Sequence, residues 1–461
     1  MSFSLNLPPT FEWGCATSSF QIEGASDPDS RLPSIWDDFC QEPGRIKDGS
    51  DGRVACDHVH RYREDVALMA ELGFRHYRFS ISWPRALDEH GRPNQGGLDF
   101  YRRLLDELAL HGITPNATLF HWDLPSHLQA DGGWLDRDTA YRFADYAQTI
   151  ARELGDRLPR VATLNEPWCS AFLGHDLGVF APGRKNRREA LLAAHHLMLA
   201  HGLAVQAWRA ERSDTSLGIV LNPELCDPFS SASEDAEAAR LAEMERNDVF
   251  LNPLFGRDWP DEILAQFGED RSERPAGYLA ICAQPLDFIG LNYYTRSIAR
   301  APVSAADAVR GYTFVPPNPA QVAVTDIGWE IYPEGLHRVV HRLLDQWPLP
   351  PLWITENGAA DNTPLKDGAC VDELRSGYLA QHLKQLERLV AEGVDLRGYY
   401  AWSLMDNFEW AHGYSQRFGM VHVDYATQQR TPKHSALWLK QLMSTGAAPD
   451  IHSHNISSTR A

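Results

Sequence analysis

Short runs of apolar and β-branched residues recur along the chain, each closed off by polar or turn-forming residues. Eight of these runs predict strands: 11–16, 74–80, 114–120, 161–165, 217–222, 286–292, 352–356 and 397–402. Between them lie segments with apolar residues at helical spacing, among them 99–111, 138–155, 189–212 and 376–393. Gly112, Gly155 and Gly393 stand at the ends of three of these helices, where glycine supplies a left-handed cap. Strands alternating with helices predict a parallel sheet joined by crossover connections. Eight such units, with no linker rich in Pro, Gly or Ser, predict an α/β fold: one closed (β/α)8 TIM barrel, a single catalytic domain over residues 1–461.

Two connections are longer than a crossover needs. The stretch 223–285 contains an acidic, Ala-rich helical segment, SASEDAEAARLAEMERND, and the stretch 296–333 carries Pro316, Pro317 and Pro319. Long βα loops in barrels commonly wall an active site. We read 296–333 as such a wall around a closed pocket, while 223–285 fits a wall or a decorative insertion equally well.

Composition narrows the functional class. With 43% hydrophobic and 23% charged residues the chain is an ordinary globular protein rather than a disordered one. Its net charge of −19 excludes nucleic acid as a partner, since that needs a clustered basic footprint. The one basic run, Arg184-Lys185-Asn186-Arg187-Arg188, reads as a solvated loop ahead of a helix. No stretch approaches the roughly 18 consecutive apolar residues of a membrane span. The opening, MSFSLNLPPTFEWG, has neither the basic nor the apolar segment of a secretory signal. Seven scattered cysteines form no regular pairs, which predicts reduced thiols and a cytoplasmic location. Asn116-Ala-Thr118 and Asn455-Ile-Ser457 match a glycosylation pattern that has no meaning in that compartment. The oligomeric state stays open, a homo-oligomer included.

The ends of the strands hold the chemistry. In a barrel, polar residues at the C-terminal ends of strands point into the mouth. The fourth strand runs VATLNEPW, placing Glu166 at its end, and the seventh runs LWITENG, placing Glu356 there. These two strands stand three apart in a ring of eight, so two carboxyls lean in from opposite rims. That layout suits glycoside hydrolysis, in which one carboxyl protonates the leaving oxygen while the other acts at the anomeric carbon. Either residue alone could be a cap or an ion-pair partner. Other ends add His121, Trp122 and Asp123, then Asn292, Tyr293 and Tyr294, then Trp402 and Ser403, while the first strand runs on into Gln21. Amides, imidazole and indole fit a sugar, whose hydroxyls need hydrogen-bond partners and whose C–H faces lie on aromatic rings. The 14 Trp and 15 Tyr residues thus gain a partial explanation.

Other chemistries lack their signatures. His58 with His60, and His195 and His196 with His201, have no carboxylate or cysteine at a spacing that completes a metal site; Asp57-His58 reads instead as the cap of a helix over 60–72. GxGxxG, GxxxxGK[ST] and GxSxG are all absent. The sequence therefore predicts no metal and no organic cofactor.

TLNEPW and ITENG resemble the acid/base and nucleophile motifs of the family 1 glycoside hydrolases, the β-glucosidase family. The likeness extends over nearly the whole chain, through FEWGCATSSFQIEG, HRYREDVALMAELGFRHYRFSISWPR, ATLFHWDLP, GLNYYT and YYAWSLMDNFEWAHGYSQRFGMVHVDY. It implies a retaining exo-β-glycosidase that releases terminal β-D-glucosyl residues by double displacement, with β-galactosides and β-fucosides as further candidates. Its substrates would be small β-glucosides and cello-oligosaccharides, a place in cellulose degradation. By the same resemblance Glu356 is the nucleophile and Glu166 the acid/base, with Arg78 and Tyr294 supporting Glu356. Gln21, His121, Trp122, Asn165, Asn292, Trp402, Glu409, Trp410 and Phe418 would bind substrate. A carboxylate at 409 would repel a 6-phosphate, and Glu rather than Gln at 166 disfavours a thioglucosidase. A transglycosylating or endo-acting enzyme is the alternative within the class, and a non-catalytic sugar-binding barrel the alternative outside it.

Overall fold

The computed structural model describes residues 2–25, 31–268 and 274–449. The second glycosylation pattern, Asn455-Ile-Ser457, lies outside them. Eight parallel strands close into a barrel in chain order: β1 (Glu12–Ala16), β2 (His76–Ser80), β3 (Thr114–Phe120), β4 (Arg160–Asn165), β5 (Ser216–Leu221), β6 (Phe288–Asn292), β7 (Leu352–Asn357) and β8 (Leu396–Trp402). All eight match the sequence-predicted strands to within two residues. The ring closes where Trp402 of β8 pairs with Ala16 of β1. Eight main helices surround it: α1 (His58–Glu71), α2 (Gln95–Leu110), α3 (Asp138–Leu154), α4 (Arg187–Glu211), α5 (Ser233–Leu254), α6 (Pro333–Gln346), α7 (Glu373–Ala391) and α8 (His434–Thr445).

Side-chain alternation along the strands divides the apolar residues into two cores. Outward residues such as Tyr399, Ala401, Leu352 and Ile354 pack against the helices. Inward residues, among them Ala16, Ala162, Val220, Phe288, Trp353, Tyr400 and Trp402, fill the barrel. Large inward rings need small neighbours: a Cβ at Gly14 would stand 2.3 Å from the Tyr400 ring. Helix α4 is long and apolar enough to cross a membrane, yet 78% of its most apolar window is buried within the protein, partly against α3.

Alternation breaks on β8 between Leu396 and Gly398 and at two further places that bear on the barrel mouth. On β7, Ile354 pairs with Leu291 of β6 but Glu356 pairs with Asn292, so β7 carries one residue more than its partner. On β4, Ala162 pairs with Gly218 of β5 and Asn165 with Val220, again one residue extra. Such bulges re-aim the side chains beyond them. Strict alternation would have left Glu356 on the outer face with Ile354; the bulge turns it to the barrel mouth.

Several local expectations need correction. Gly155 is right-handed (φ −63°) and passes into a 3-10 turn, so it is not a left-handed cap. Asp57 stands at the start of α1 but caps no backbone N–H; its carboxylate takes the His60 ring at 2.6 Å. The basic run is only partly solvated, because Arg187 opens α4 with its side chain mostly buried, bridging Asp176 at 3.1 Å and Glu245 of α5. Insertion 223–285 is not mere decoration. Its strand Cys226–Pro228 joins Ser297–Arg300 and Thr313–Phe314 of the other insertion in one small sheet. Arg296 locks the two together, reaching Asp227 at 2.6 Å and Glu330 at 2.8 Å.

Candidate active site

The barrel mouth opens into a cavity of about 690 Å³, a size that suits a small-molecule ligand. Ten of the thirteen sequence-predicted site residues line it: His121, Trp122, Glu166, Asn292, Tyr294, Glu356, Trp402, Glu409, Trp410 and Phe418. Arg78, Asn165 and Gln21 are buried behind the wall rather than in it. The Gln21 amide is consumed internally, donating to Asn407 Oδ1 at 3.0 Å and to the Phe408 carbonyl at 2.9 Å.

One hydrogen-bond chain orders the centre. Arg78 can only donate; it gives Nη1–H to Glu356 Oε1 at 2.5 Å and Nη2–H to Asn165 Oδ1 at 2.6 Å. With its oxygen so fixed, Asn165 presents its amide nitrogen to His121 Nε2 at 3.1 Å. His121 must then accept at Nε2 and carry its proton on Nδ1, which has no partner among the described residues. Burial, with Arg78 nearby, drives the His121 pKa well below its usual value, so the ring is neutral and offers one donor. The backbone shares in this precision. Trp122, Glu166 and Trp410 all hold left-handed φ angles, at 79°, 44° and 47°. For non-glycine residues this costs of order 1–3 kcal/mol each and tends to gather at functional sites.

The two central carboxyls are both buried but differently supplied. Glu356 receives Arg78 on one oxygen and the Tyr294 hydroxyl on the other at 2.7 Å. Glu166 receives the Asn292 amide at 2.6 Å and the Cys169 thiol at 3.1 Å, with no cation among the described residues bonded to it. Asn292 also donates to Asn165 Oδ1 at 3.1 Å, and Thr355 holds the amide by donating to its oxygen at 2.7 Å. Burial and the charge of Glu356 push the Glu166 pKa up to about 7. Burial raises Glu356 as well, and Arg78 with Tyr294 pulls it back. Between the two, the proton belongs on Glu166. Glu409, half-buried and repelled by both, is raised to about 8, and its Oε2 has no partner among the described residues.

Aromatic rings complete the walls. His121 lies nearly parallel to Trp402 and Trp410, with ring centroids 5.8 and 5.9 Å away. Phe418, Tyr294 and Trp329 pack edge to face or tilted on the other side. The outer wall holds residues the sequence reading did not single out. Arg246 of α5 pairs with Glu224 and lies 3.4 Å from the Trp168 ring centroid. Nothing in the strand pattern points to them, because both belong to the insertion. Pro316 and Pro317 do line the cavity, as read for 296–333.

Residues 4–447 match the family model described as glycosyl hydrolase family 1. A beta-glucosidase of Agrobacterium sp. is 46% identical over 448 residues, 96% of each chain. A bifunctional beta-D-glucosidase/beta-D-fucosidase of Bifidobacterium breve is 42% identical, covering 96% of this chain and 99% of its own. Among solved structures, the family 1 β-glucosidase of Thermotoga maritima in complex with isofagomine lactam superposes with a TM-score of 0.90 at 41% identity, over 96% of this chain and all of the other.

Proposed function

The chain belongs to glycosyl hydrolase family 1, and on that footing we propose that it is a retaining exo-β-glucosidase with Glu356 as nucleophile and Glu166 as acid/base. One observation carries the assignment of roles: Arg78 and Tyr294 both serve Glu356, while Glu166 has no bonded cation and a pKa near 7.

In the first step Glu356 attacks the anomeric carbon as the glycosidic bond breaks, and the Glu166 proton goes to the departing oxygen. The products are a glucosyl ester on Glu356 and the free aglycone. Glu166, now a carboxylate, then takes a proton from water, whose oxygen attacks the anomeric carbon and releases Glu356. Inversion twice leaves β-glucose. Neutral His121 donates from Nδ1 to a sugar hydroxyl, Glu409 binds outer hydroxyls, and Trp402 underlies the ring. Arg78, Asn165, Asn292 and Gln21 position these groups.

A pocket walled by the small sheet supports release of single units from the non-reducing end, with cello-oligosaccharides and small β-glucosides as substrates and cellulose breakdown as the setting. The B. breve relative's name supports β-fucosides as additional substrates. Seven free cysteines, six of them buried, support a reducing, cytoplasmic setting. Turnover of aryl β-glucosides followed by NMR tests the assignment: β-glucose should form first. An α-anomer first would overturn it.

A further inference from the structure

We propose that His337, His341 and Glu392 form a binding site for a divalent transition-metal ion of the zinc and copper class, on the outer helical ring. His337 and His341 stand one helical turn apart on α6 and so share a face. Glu392 closes α7, which delivers the chain to the start of β8, at the end of the barrel remote from the catalytic mouth. Both Nε2 atoms lie 2.7 Å from the same oxygen, Glu392 Oε2. The three ligand atoms fall within 4.8 Å of one another, and among the described residues this is the one cluster of three or more His, Cys, Asp or Glu ligands so arranged.

The convergence is what a metal needs. Two imidazole nitrogens and one carboxylate oxygen are a familiar zinc set, with metal–ligand distances of about 2.0–2.2 Å. An ion among them replaces the two N–H protons, which move to Nδ1 or leave to solvent. The set must then open by roughly half an ångström to reach tetrahedral spacing. It can do so because the His341 side chain is 40% exposed and that of Glu392 36%. His337 is mostly buried and anchors the site. Arg388 binds the other Glu392 oxygen at 3.0 Å, fixing the carboxylate to offer Oε2 alone. Three protein ligands leave a fourth position for water. The neighbouring guanidinium weakens cation affinity, so the ion should bind in the micromolar range. Sequence spacing hid the site, since the carboxylate lies far along the chain on another helix.

Calorimetric titration of ZnCl2 into untagged, chelator-treated protein tests this. Because His452 and His454 offer a rival pair, a His452→Ala/His454→Ala variant is titrated as well. The expected result is about one equivalent bound by the wild type and by that double variant, with at least tenfold weaker binding by His341→Ala and by Glu392→Gln. Zinc should also raise the thermal midpoint of the wild type but not of those two variants. Cobalt(II) should give the visible absorption of a four-coordinate ion. β-Glucosidase activity of the metal-free variants should match wild type. Absence of binding, equal binding by His341→Ala and Glu392→Gln, or binding lost only with His452 and His454, would overturn the site.

Discussion

Cys169 aims its thiol at Glu166: Sγ lies 3.1 Å from Oε2, three residues further along the chain. Burial and the charge of Glu166 raise the thiol pKa well above its usual value, so the sulfur keeps its proton and donates it. The Asn222 amide, 3.6 Å from Sγ on its acceptor side, fits that direction. A donor here favours ionised Glu166, opposing the burial that raises its pKa. Replacing Cys169 by Val should therefore move the basic limb of the kcat/KM profile upward, by up to about one pH unit. Cys169→Ser should stay near wild type, since it retains a donor. A limb that stays put in the Val variant would show that the thiol does not tune Glu166.

The ionisation order of the two carboxyls sets the shape of that profile. Glu166 must be protonated, a condition met below about pH 7 and lost as pH rises through it. Glu356 must be ionised, so activity falls on the acid side. Tyr294→Phe removes a donor from Glu356 and should shift the acid limb upward while leaving the basic limb in place.

Glu166→Ala should separate substrates by leaving group. A dinitrophenyl glucoside departs without protonation and should lose little in glucosylation, whereas an alkyl glucoside should lose about 10²–10⁴-fold, the usual worth of general acid catalysis. Equal losses on both would place the acid elsewhere.

Glu409 links function to stability. Its folded pKa of about 8 stands above the ordinary 4.5, so the folded state holds this proton more tightly than the unfolded one. Stability from that proton is complete below about pH 4.5 and declines as pH climbs through about 8. Glu409→Gln should therefore raise the thermal midpoint at pH 8.5, by an effect on the order of a few kcal/mol, with little gain at pH 5. The same variant should lose up to about tenfold in kcat/KM, as the carboxyl's hydrogen bonds to the sugar give way to an amide's.

Much of the barrel was legible because each strand is a short apolar run with a polar end, and the motifs around Glu166 and Glu356 mark two of those ends. What alternation could not give was the direction of Glu356 and Asn165, because each depends on a bulge visible only against a neighbouring strand. Arg246 and Glu224 were hidden for a related reason. The small sheet that brings their insertion to the cavity pairs segments some 70 residues apart, Cys226 with Ser297. Gln21 and Asn165 were placed in the site by motif, and only the hydrogen-bond chain reveals them as supports behind it.

Double displacement requires Glu356 to become covalently bonded to the sugar. Incubation with an activated 2-deoxy-2-fluoro-β-glucoside, followed by peptide mass spectrometry, tests it most directly. One 2-fluoroglucosyl group should appear on the peptide containing Ile354-Thr355-Glu356-Asn357, with loss of activity in step. Labelling at Glu166 or another residue, or inactivation with no covalent label, would contradict the account.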